Sequence, residues 1–400
     1  MPKRYTEYRF EDPSLPYSDY KEMVQAAKGL IQEIQQEDYY NTLTLEKWTI
    51  AHTVGLAMVQ LGFLLEGKKF HAESSMILLE LGINRISTYE GLNFIESQMR
   101  KKAFWINLSS QRDSLADRFA FEEADAEHLY LLNLDDEVIL PDRLQTEATS
   151  QTPLIAGLVA SSRIHICLSS IIKESIPVLT TWSGPQSSTK RIVGNCECGR
   201  MISPVSAVEI LNYRLEKVRG ILDDLPSELH LPPQPSLEDD EKSQHPKAVR
   251  CMQYESMAAN IHITALWAQS ILLESIIAVS GRSKDTNAHD ISLSFDEVWT
   301  QREKICRQVL STIKRLSSAS VEASGMILIY KIRQVAATLM EYPFGQETQI
   351  SFNAELYSKA FAEHLSELYS SGGFPTQTGG EDEIQRYQTR LGMSENTGPK

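Results

Sequence analysis

Three consecutive acidic residues, Asp135, Asp136 and Glu137, could hold a divalent cation, because carboxylate oxygens are ligands that magnesium prefers. An acidic run of this kind is more often a solvated or salt-bridged surface. A metal-dependent prenyl-transferring or cyclising enzyme would also need a second metal-binding motif on the opposite side of a cavity. The acidic pair at 223–224 comes directly before a Leu-Pro pair that ends a helix. The sequence therefore favours a surface role for the run, with an all-α metal-dependent enzyme as the alternative.

Cysteine and histidine side chains could bind zinc, which needs four ligands, usually supplied as two close pairs. The chain has one close cysteine pair, Cys196 and Cys198, and one short pair upstream, His165 and Cys167. These distant groups would have to converge, so we favour a loop cysteine pair without a metal. The five cysteines are scattered and odd in number, which is typical of a reducing compartment.

Two further kinds of catalytic site lack their motifs. The chain has no G-x-S-x-G sequence for a nucleophilic serine. Its adjacent glycines, at 372–373 and 379–380, do not precede a helix with a Lys-Ser/Thr pair, so no phosphate-binding loop is predicted. We therefore predict no catalytic, cofactor-binding or metal-ligating residue in this chain, and we expect that the protein is not an enzyme.

A basic and aromatic segment comes before the acidic run. Arg100, Lys101 and Lys102 lead into Phe104 and Trp105. The two aromatic residues stand beside aliphatic residues, so we expect them to pack in a core rather than to stack on a ligand.

Arg112 follows the aromatic pair by about two helical turns and shares its face of the helix. It could line a pocket for an effector, or it could pair with Asp136 or Glu137 and hold the following loop. Bidentate Arg–carboxylate pairs commonly hold such loops, and we favour that role. The structural or regulatory candidates are Arg100, Lys101, Phe104, Trp105, Arg112, Asp135, Asp136 and Pro141.

The elements that would position these residues are helices. Apolar residues recur at spacings of three and four, and alternating β-branched runs are nearly absent. Thr44 is predicted to cap the second helix, with Gly67 as its left-handed C-cap, and Gly82 to end the third helix. The prediction is an all-α fold, a large multi-helix domain with long polar loops at 183–204 and 230–247. The predicted helices are about Asp19–Gln36, Thr44–Leu65, Phe70–Leu81, Glu96–Phe119, Pro153–Ile176, Val205–Leu225, Ala248–Ser280, Phe295–Ser317, Val321–Met340 and Ala354–Tyr369.

Length and charge narrow the functional classes. A chain of 400 residues with 42% hydrophobic residues can bury a large core. The net charge of −14 argues against nucleic-acid wrapping by the chain itself, because phosphate binding relies on Lys and Arg. The N-terminus has no apolar signal core, and the most apolar stretch, 51–65, falls short of a membrane span. We therefore expect an intracellular protein that does not enter a membrane.

The order of the basic, aromatic and acidic features resembles the regulatory (middle homology) domain of fungal zinc-cluster transcription factors. In that family an arginine-rich helix start leads to Phe-Trp, then to Asp-Arg and to an acidic run ending in Leu-Pro, here at 140–141. The segments 67–85 and 222–229 are similar to two further elements of the family, and the resemblance covers about 19–342. Gln111 stands where the family has Asp, and 118–120 replaces a Gly-Arg-Pro turn. These departures affect any specific ligand site but not the fold.

The resemblance implies a nuclear fungal protein that regulates transcription of a pathway gene set, with a specialised-metabolite biosynthetic cluster as the expected target. The family's DNA-binding module needs six cysteines in two short clusters, which this chain lacks. DNA and zinc are therefore expected only through a module absent from this chain. The implied partners are the transcription machinery or a full-length factor, together with a small-molecule effector. A truncated regulator without a function of its own is a further alternative.

Four segments are expected along the chain. They are an N-terminal extension at 1–18, the regulatory domain at 19–345, a C-terminal helix at 346–371 and a disordered tail at 372–400.

Overall fold

A computed structural model of the chain describes residues 16–35, 39–61, 63–113, 128–145, 151–168, 204–231, 246–282, 295–341 and 349–371. These residues form ten α-helices and several short 3-10 turns, and no strand is found among them, which confirms the all-α prediction. The helices are α1 (Tyr20–Ile34), α2 (Leu45–Gln60), α3 (Leu64–Glu80), α4 (Phe94–Asp113), α5 (Ala156–Cys167), α6 (Pro204–Asp223), α7 (Pro246–Arg282), α8 (Phe295–Ile313), α9 (Ser318–Ala337) and α10 (Gln349–Ser371).

Local capping signals set where the first helices begin. The side chain of Asp19 accepts a hydrogen bond from the backbone N–H of Glu22 at 2.9 Å, which satisfies one free donor at the start of α1. Thr44 does the same at α2, accepting from the N–H of Lys47 at 3.3 Å, as predicted. Gly82, with a φ of +63°, follows α3 in the left-handed conformation, which confirms the predicted end of that helix.

Gly67 has a different role from the predicted C-cap, and that prediction is wrong. α2 ends at Gln60, and Gly67 lies inside α3 without a positive φ. A Cβ at Gly67 would lie 2.6 Å from Cγ2 of Val59 and 2.9 Å from the carbonyl oxygen of Gly55. The glycine is needed because α2 and α3 touch at this point, so the requirement comes from a neighbouring helix and not from the local chain.

The first of two hydrophobic cores, called here the N-terminal core, consists of buried residues of α1–α4 together with Ile83, Leu129 and Ile166. Phe104 and Trp105 are both buried in it, with ring centroids 5.1 Å apart in an edge-to-face arrangement. The indole N–H of Trp105 donates to the carbonyl of Leu129 at 2.8 Å, so its polar edge is satisfied. The prediction that this aromatic pair packs in a core is confirmed.

The second, called the C-terminal core, consists of buried residues of α5–α10 together with Leu168, Leu225, Leu229 and Leu339. α7 lies at its centre and contacts α5, α6, α8 and α9. The segment Val249–Ser280 of α7 is apolar and long enough to cross a membrane, but 83% of its most apolar window is buried inside the protein. Burial against other helices on all sides accounts for this composition. α10 joins the same core through Ala354, Phe361 and Leu365.

Several predictions lie outside the described residues. They concern the cysteine pair at 196 and 198, the helix ends at Phe119 and Ile176, and the tail at 372–400. Most of the loops at 183–204 and 230–247, and all but the last few residues of 1–18, also lie outside them.

Candidate functional site

A cavity of about 670 Å³ lies between the two cores. Its described lining comes from α2 and α4 of the N-terminal core, from α5, α7 and α9 of the C-terminal core, from the two residues before α5, and from the acidic run at 135–137. A volume in this range suits a drug-sized organic molecule. A molecule bound there would contact both cores at once.

The wall of the cavity is mainly apolar, with hydroxyl and amide groups among the aliphatic side chains. The hydroxyl of Ser109 is buried and has no hydrogen-bond partner in the described structure. Such a mixture of apolar surface and a few placed polar groups is common in small-molecule sites. The aliphatic and Met side chains are Leu56, Ile106, Leu154, Ile155, Leu158, Met257, Ile261 and Ile327, and the polar uncharged ones are Gln60, Ser109, Ser110, Ser161, Ser256, Asn260 and Ser324.

Arg250 of α7 is one of the charged residues of the lining, and it has several hydrogen-bond partners. Its Nη2 donates to Oδ2 of Asp135 at 3.1 Å and to the carbonyl of Thr152 at 2.9 Å, and its Nε donates to the hydroxyl of Tyr254 at 2.9 Å. These hydrogen bonds, first to Tyr254 and then to Asp135, raise the pKa of Arg250. Asp135 also accepts from the backbone N–H of Leu154 at 2.7 Å. One arginine thus ties α7 to the acidic run and to the segment that enters α5.

The second aspartate pairs with the basic run of α4. Nζ of Lys102 forms an ion pair with Oδ1 of Asp136. The side chain of Arg112 lies outside the described residues, so its predicted pairing with Asp136 or Glu137 stays a prediction. Glu137 is exposed and lines the cavity, and it forms no ion pair or hydrogen bond within the described structure.

Other predicted residues support the site from outside the cavity. Arg100 donates to the carbonyl of Thr88 at 3.2 Å and pairs with Glu96 at 3.1 Å, which fixes the start of α4 against the preceding turn. Lys101 donates to a loop carbonyl at residue 130, at 3.3 Å, and its partial burial lowers its pKa. The carbonyl of Pro141 accepts from the backbone N–H of Phe94 at 3.2 Å, so the segment after the acidic run is attached to the first residue of α4.

A glycine also lies where α9 borders the cavity. Gly325 of α9 has φ +58° and ψ −149°, a conformation that is nearly exclusive to glycine, and it interrupts the helix at the cavity. A Cβ at this position would collide with the side chain of Gln60 of α2. The break therefore lies where a helix of the C-terminal core meets a helix of the N-terminal core.

Sequence reasoning missed Arg250, Tyr254 and Gly325. Arg250 and Asp135 are 115 residues apart, and neither has a local signal for the other. A basic residue near the start of a long apolar helix was a weak indication that Arg250 has a specific partner. A glycine inside the predicted ninth helix was a similar indication of a close approach at Gly325.

The short His–Cys pair lies within α5 and is held by that helix. Nδ1 of His165 lies 2.7 Å from the carbonyl of Ser161, and Sγ of Cys167 donates to the carbonyl of Arg163 at 3.4 Å. In the part of the chain that the structure describes, no group of three or more His, Cys, Asp or Glu side chains could hold a metal ion.

Comparisons of this chain with protein-family models, with characterised proteins and with solved structures found no match.

Proposed function

We propose that this protein is a transcription regulator of the fungal zinc-cluster type, whose helical domain responds to a small molecule bound between its two cores. The transcriptional part is supported by the resemblance of its basic, aromatic and acidic segments to that family. The response to a ligand is supported by one observation, the cavity of about 670 Å³ at the junction of the cores. Nuclear localisation and control of a specialised-metabolite gene set belong to the same proposal.

The mechanism follows from the position of the cavity. A molecule that contacts α2 and α4 on one side and α7 and α9 on the other stabilises one relative packing of the cores over others. The ligand shifts the equilibrium by no more than its difference in affinity for the two arrangements. The surface offered to a partner in transcription then depends on which arrangement is populated.

A reporter assay tests the proposal with a substitution that imitates an occupied cavity. The whole chain is fused to an unrelated DNA-binding module, and transcription of a reporter gene is measured in yeast. Ser256→Trp places a large side chain in the cavity, whereas Gln253→Trp adds the same side chain to an exposed position of the same helix. We expect the first variant to change reporter output severalfold and the second to match the unsubstituted chain.

Two outcomes would contradict different parts of the proposal. If the fused chain leaves the reporter at the level of the DNA-binding module alone, the transcriptional role is wrong. If Ser256→Trp folds, as judged by circular dichroism, and still matches Gln253→Trp, the cavity has no regulatory role. Sequence-specific DNA binding by the purified chain would contradict the expectation that a separate module reads the DNA.

A further inference from the structure

We propose that the cavity accepts an apolar molecule that carries hydroxyl, carbonyl or amine groups and excludes carboxylates, phosphates and sulfates of similar size. This inference rests on the proposed function, because it concerns the ligand of the same cavity. It is carried by the arrangement of charges around the lining and by the chemistry of the inner wall.

Both cations of the described lining already have acidic partners. Arg250 donates to Asp135, Tyr254 and a backbone carbonyl, and Lys102 is paired with Asp136. An anionic ligand would therefore have to share a cation that an aspartate already neutralises, or displace that aspartate. In both cases the carboxylate stays next to the ligand, so two like charges are brought together.

The third acidic residue of the lining adds to this exclusion. Three acids and two bases are among the described residues of the lining, so their formal charges sum to −1. A neutral molecule is not affected by this charge, and an ammonium group is attracted by it. This net charge therefore favours the binding of an amine or an alcohol over the binding of a carboxylate.

The inner wall favours a ligand that is mostly apolar but carries oxygen or nitrogen. Eight aliphatic or Met side chains supply the apolar contact, and five serines and two amides supply donors and acceptors. A hydroxyl or carbonyl on the ligand can form hydrogen bonds with these donors and acceptors, whereas moving an unpaired anion against the apolar surface is costly.

A matched series of ten-carbon probes tests the inference on the purified full chain. Nile red, a neutral dye, reports occupancy of the cavity by its fluorescence. Its displacement by decanol, by decylamine and by decanoate is measured at pH 7.5. We expect decanol and decylamine to bind at least about tenfold more tightly than decanoate, because only the acid lacks a counter-charge. Nile red fluorescence should fall in Ser256→Trp and not in Gln253→Trp.

Asp136→Asn is the decisive variant, because it removes the acidic partner of Lys102 in the cavity lining. The side chain of Asp136 is 73% exposed, so this change leaves the packing intact. We expect the affinity for decanoate to rise about fivefold, the scale of a partly exposed charge pair. Asp142→Asn is the control, because it makes the same change of charge in the same segment and releases Arg143, which is outside the lining.

The possible results separate the two proposals. If Nile red fails to bind, or binds equally well to Ser256→Trp, the cavity is not a ligand site and the proposed function fails with it. If Ser256→Trp blocks binding but decanoate binds as well as decanol, the site stands and the proposed ligand class is wrong. An equal gain of decanoate affinity in Asp136→Asn and Asp142→Asn would also overturn the role given to the ion pair.

Discussion

The two cores differ in the ionisable groups that they bury. In the C-terminal core, the guanidinium of Arg302 on α8 donates to both oxygens of Glu274 on α7, at 2.8 and 2.6 Å. In the N-terminal core, the imidazole rings of His52 and His71 lie against each other, and burial lowers the pKa of both. A buried charge is stabilised by its partner, whereas a buried imidazole is stable only while it is neutral. We therefore expect the C-terminal core to depend on keeping its ion pair, and the N-terminal core on keeping its histidines unprotonated.

Breaking the buried ion pair should have the largest effect. Arg302→Met leaves Glu274 without its bidentate partner, and we expect the free energy of unfolding to fall by about 3–5 kcal/mol. Urea unfolding followed by circular dichroism measures this loss. The double variant Arg302→Met, Glu274→Leu should recover most of it, because no unpaired charge remains; a double variant as unstable as the single one would show that the pair itself holds α8 to α7.

Acid should weaken the N-terminal core through a histidine pair. His52 stacks on Trp48 at 5.2 Å and meets the ring of His71 edge-on at 5.3 Å. Burial, and then the neighbouring His71, lower the pKa of His52 from 6.5 to about 4, and burial lowers the pKa of His71 as well. The unfolded chain therefore binds a proton that the folded chain excludes. The contribution of His52 to stability is complete above pH 6.5 and declines as the pH falls toward 4.

The expected loss from His52 is on the order of 3 kcal/mol at pH 4, because each tenfold change in proton affinity between the unfolded and folded chain corresponds to about 1.4 kcal/mol. His52→Phe keeps a flat ring against Trp48 and cannot be protonated, so the difference in unfolding free energy between pH 7.5 and pH 4.5 should shrink. A difference as large in His52→Phe as in the unsubstituted chain would contradict this account. Burial also lowers the pKa of His262, on α7, to about 4. This histidine accounts for part of the pH dependence of stability that remains in His52→Phe.

The close contact of α2 with α3 offers a smaller test of packing. Gly67→Ala places a methyl group 2.6 Å from Val59, and we expect a loss of about 1–3 kcal/mol because two helices must separate. Gly29→Ala on α1 meets no atom within 4 Å and should stabilise the protein by up to about 1 kcal/mol. Thermal unfolding of the two variants shows opposite shifts if the contact is as tight as described; two upward shifts would refute it.

The ion pair between Lys102 and Asp136, in the cavity lining, should contribute least to stability. Lys102→Ala removes the partner of Asp136, which is largely exposed, so the expected loss is below about 1 kcal/mol. A loss comparable to that of Arg302→Met would show that the acidic run is structurally essential to α4. Unfolding in urea at low and at high salt distinguishes the two, because a surface pair is screened by salt.

The fold class was predictable from the sequence because its signals are local. Apolar spacing, the caps at Asp19 and Thr44 and the left-handed Gly82 each act within a few residues of the chain. Burial of Phe104 and Trp105 was also predictable, since adjacent aromatic residues among aliphatic ones are rarely left in water. The candidate site was only partly predictable, because the acidic run was identified but its main partner was not.

The amino-acid sequence by itself determined that the chain is helical, where its first two helices start and that Phe104 and Trp105 are buried. The third helix begins at Leu64, earlier than the predicted Phe70. Tertiary structure alone decided that Arg250 meets Asp135, that Gly67 and Gly325 lie at close contacts between helices, and that a cavity lies at the junction of the two cores. The physical reason is distance along the chain. A cap or an apolar stripe depends on neighbours within two turns, whereas an ion pair or a cavity depends on how helices far apart in sequence come together.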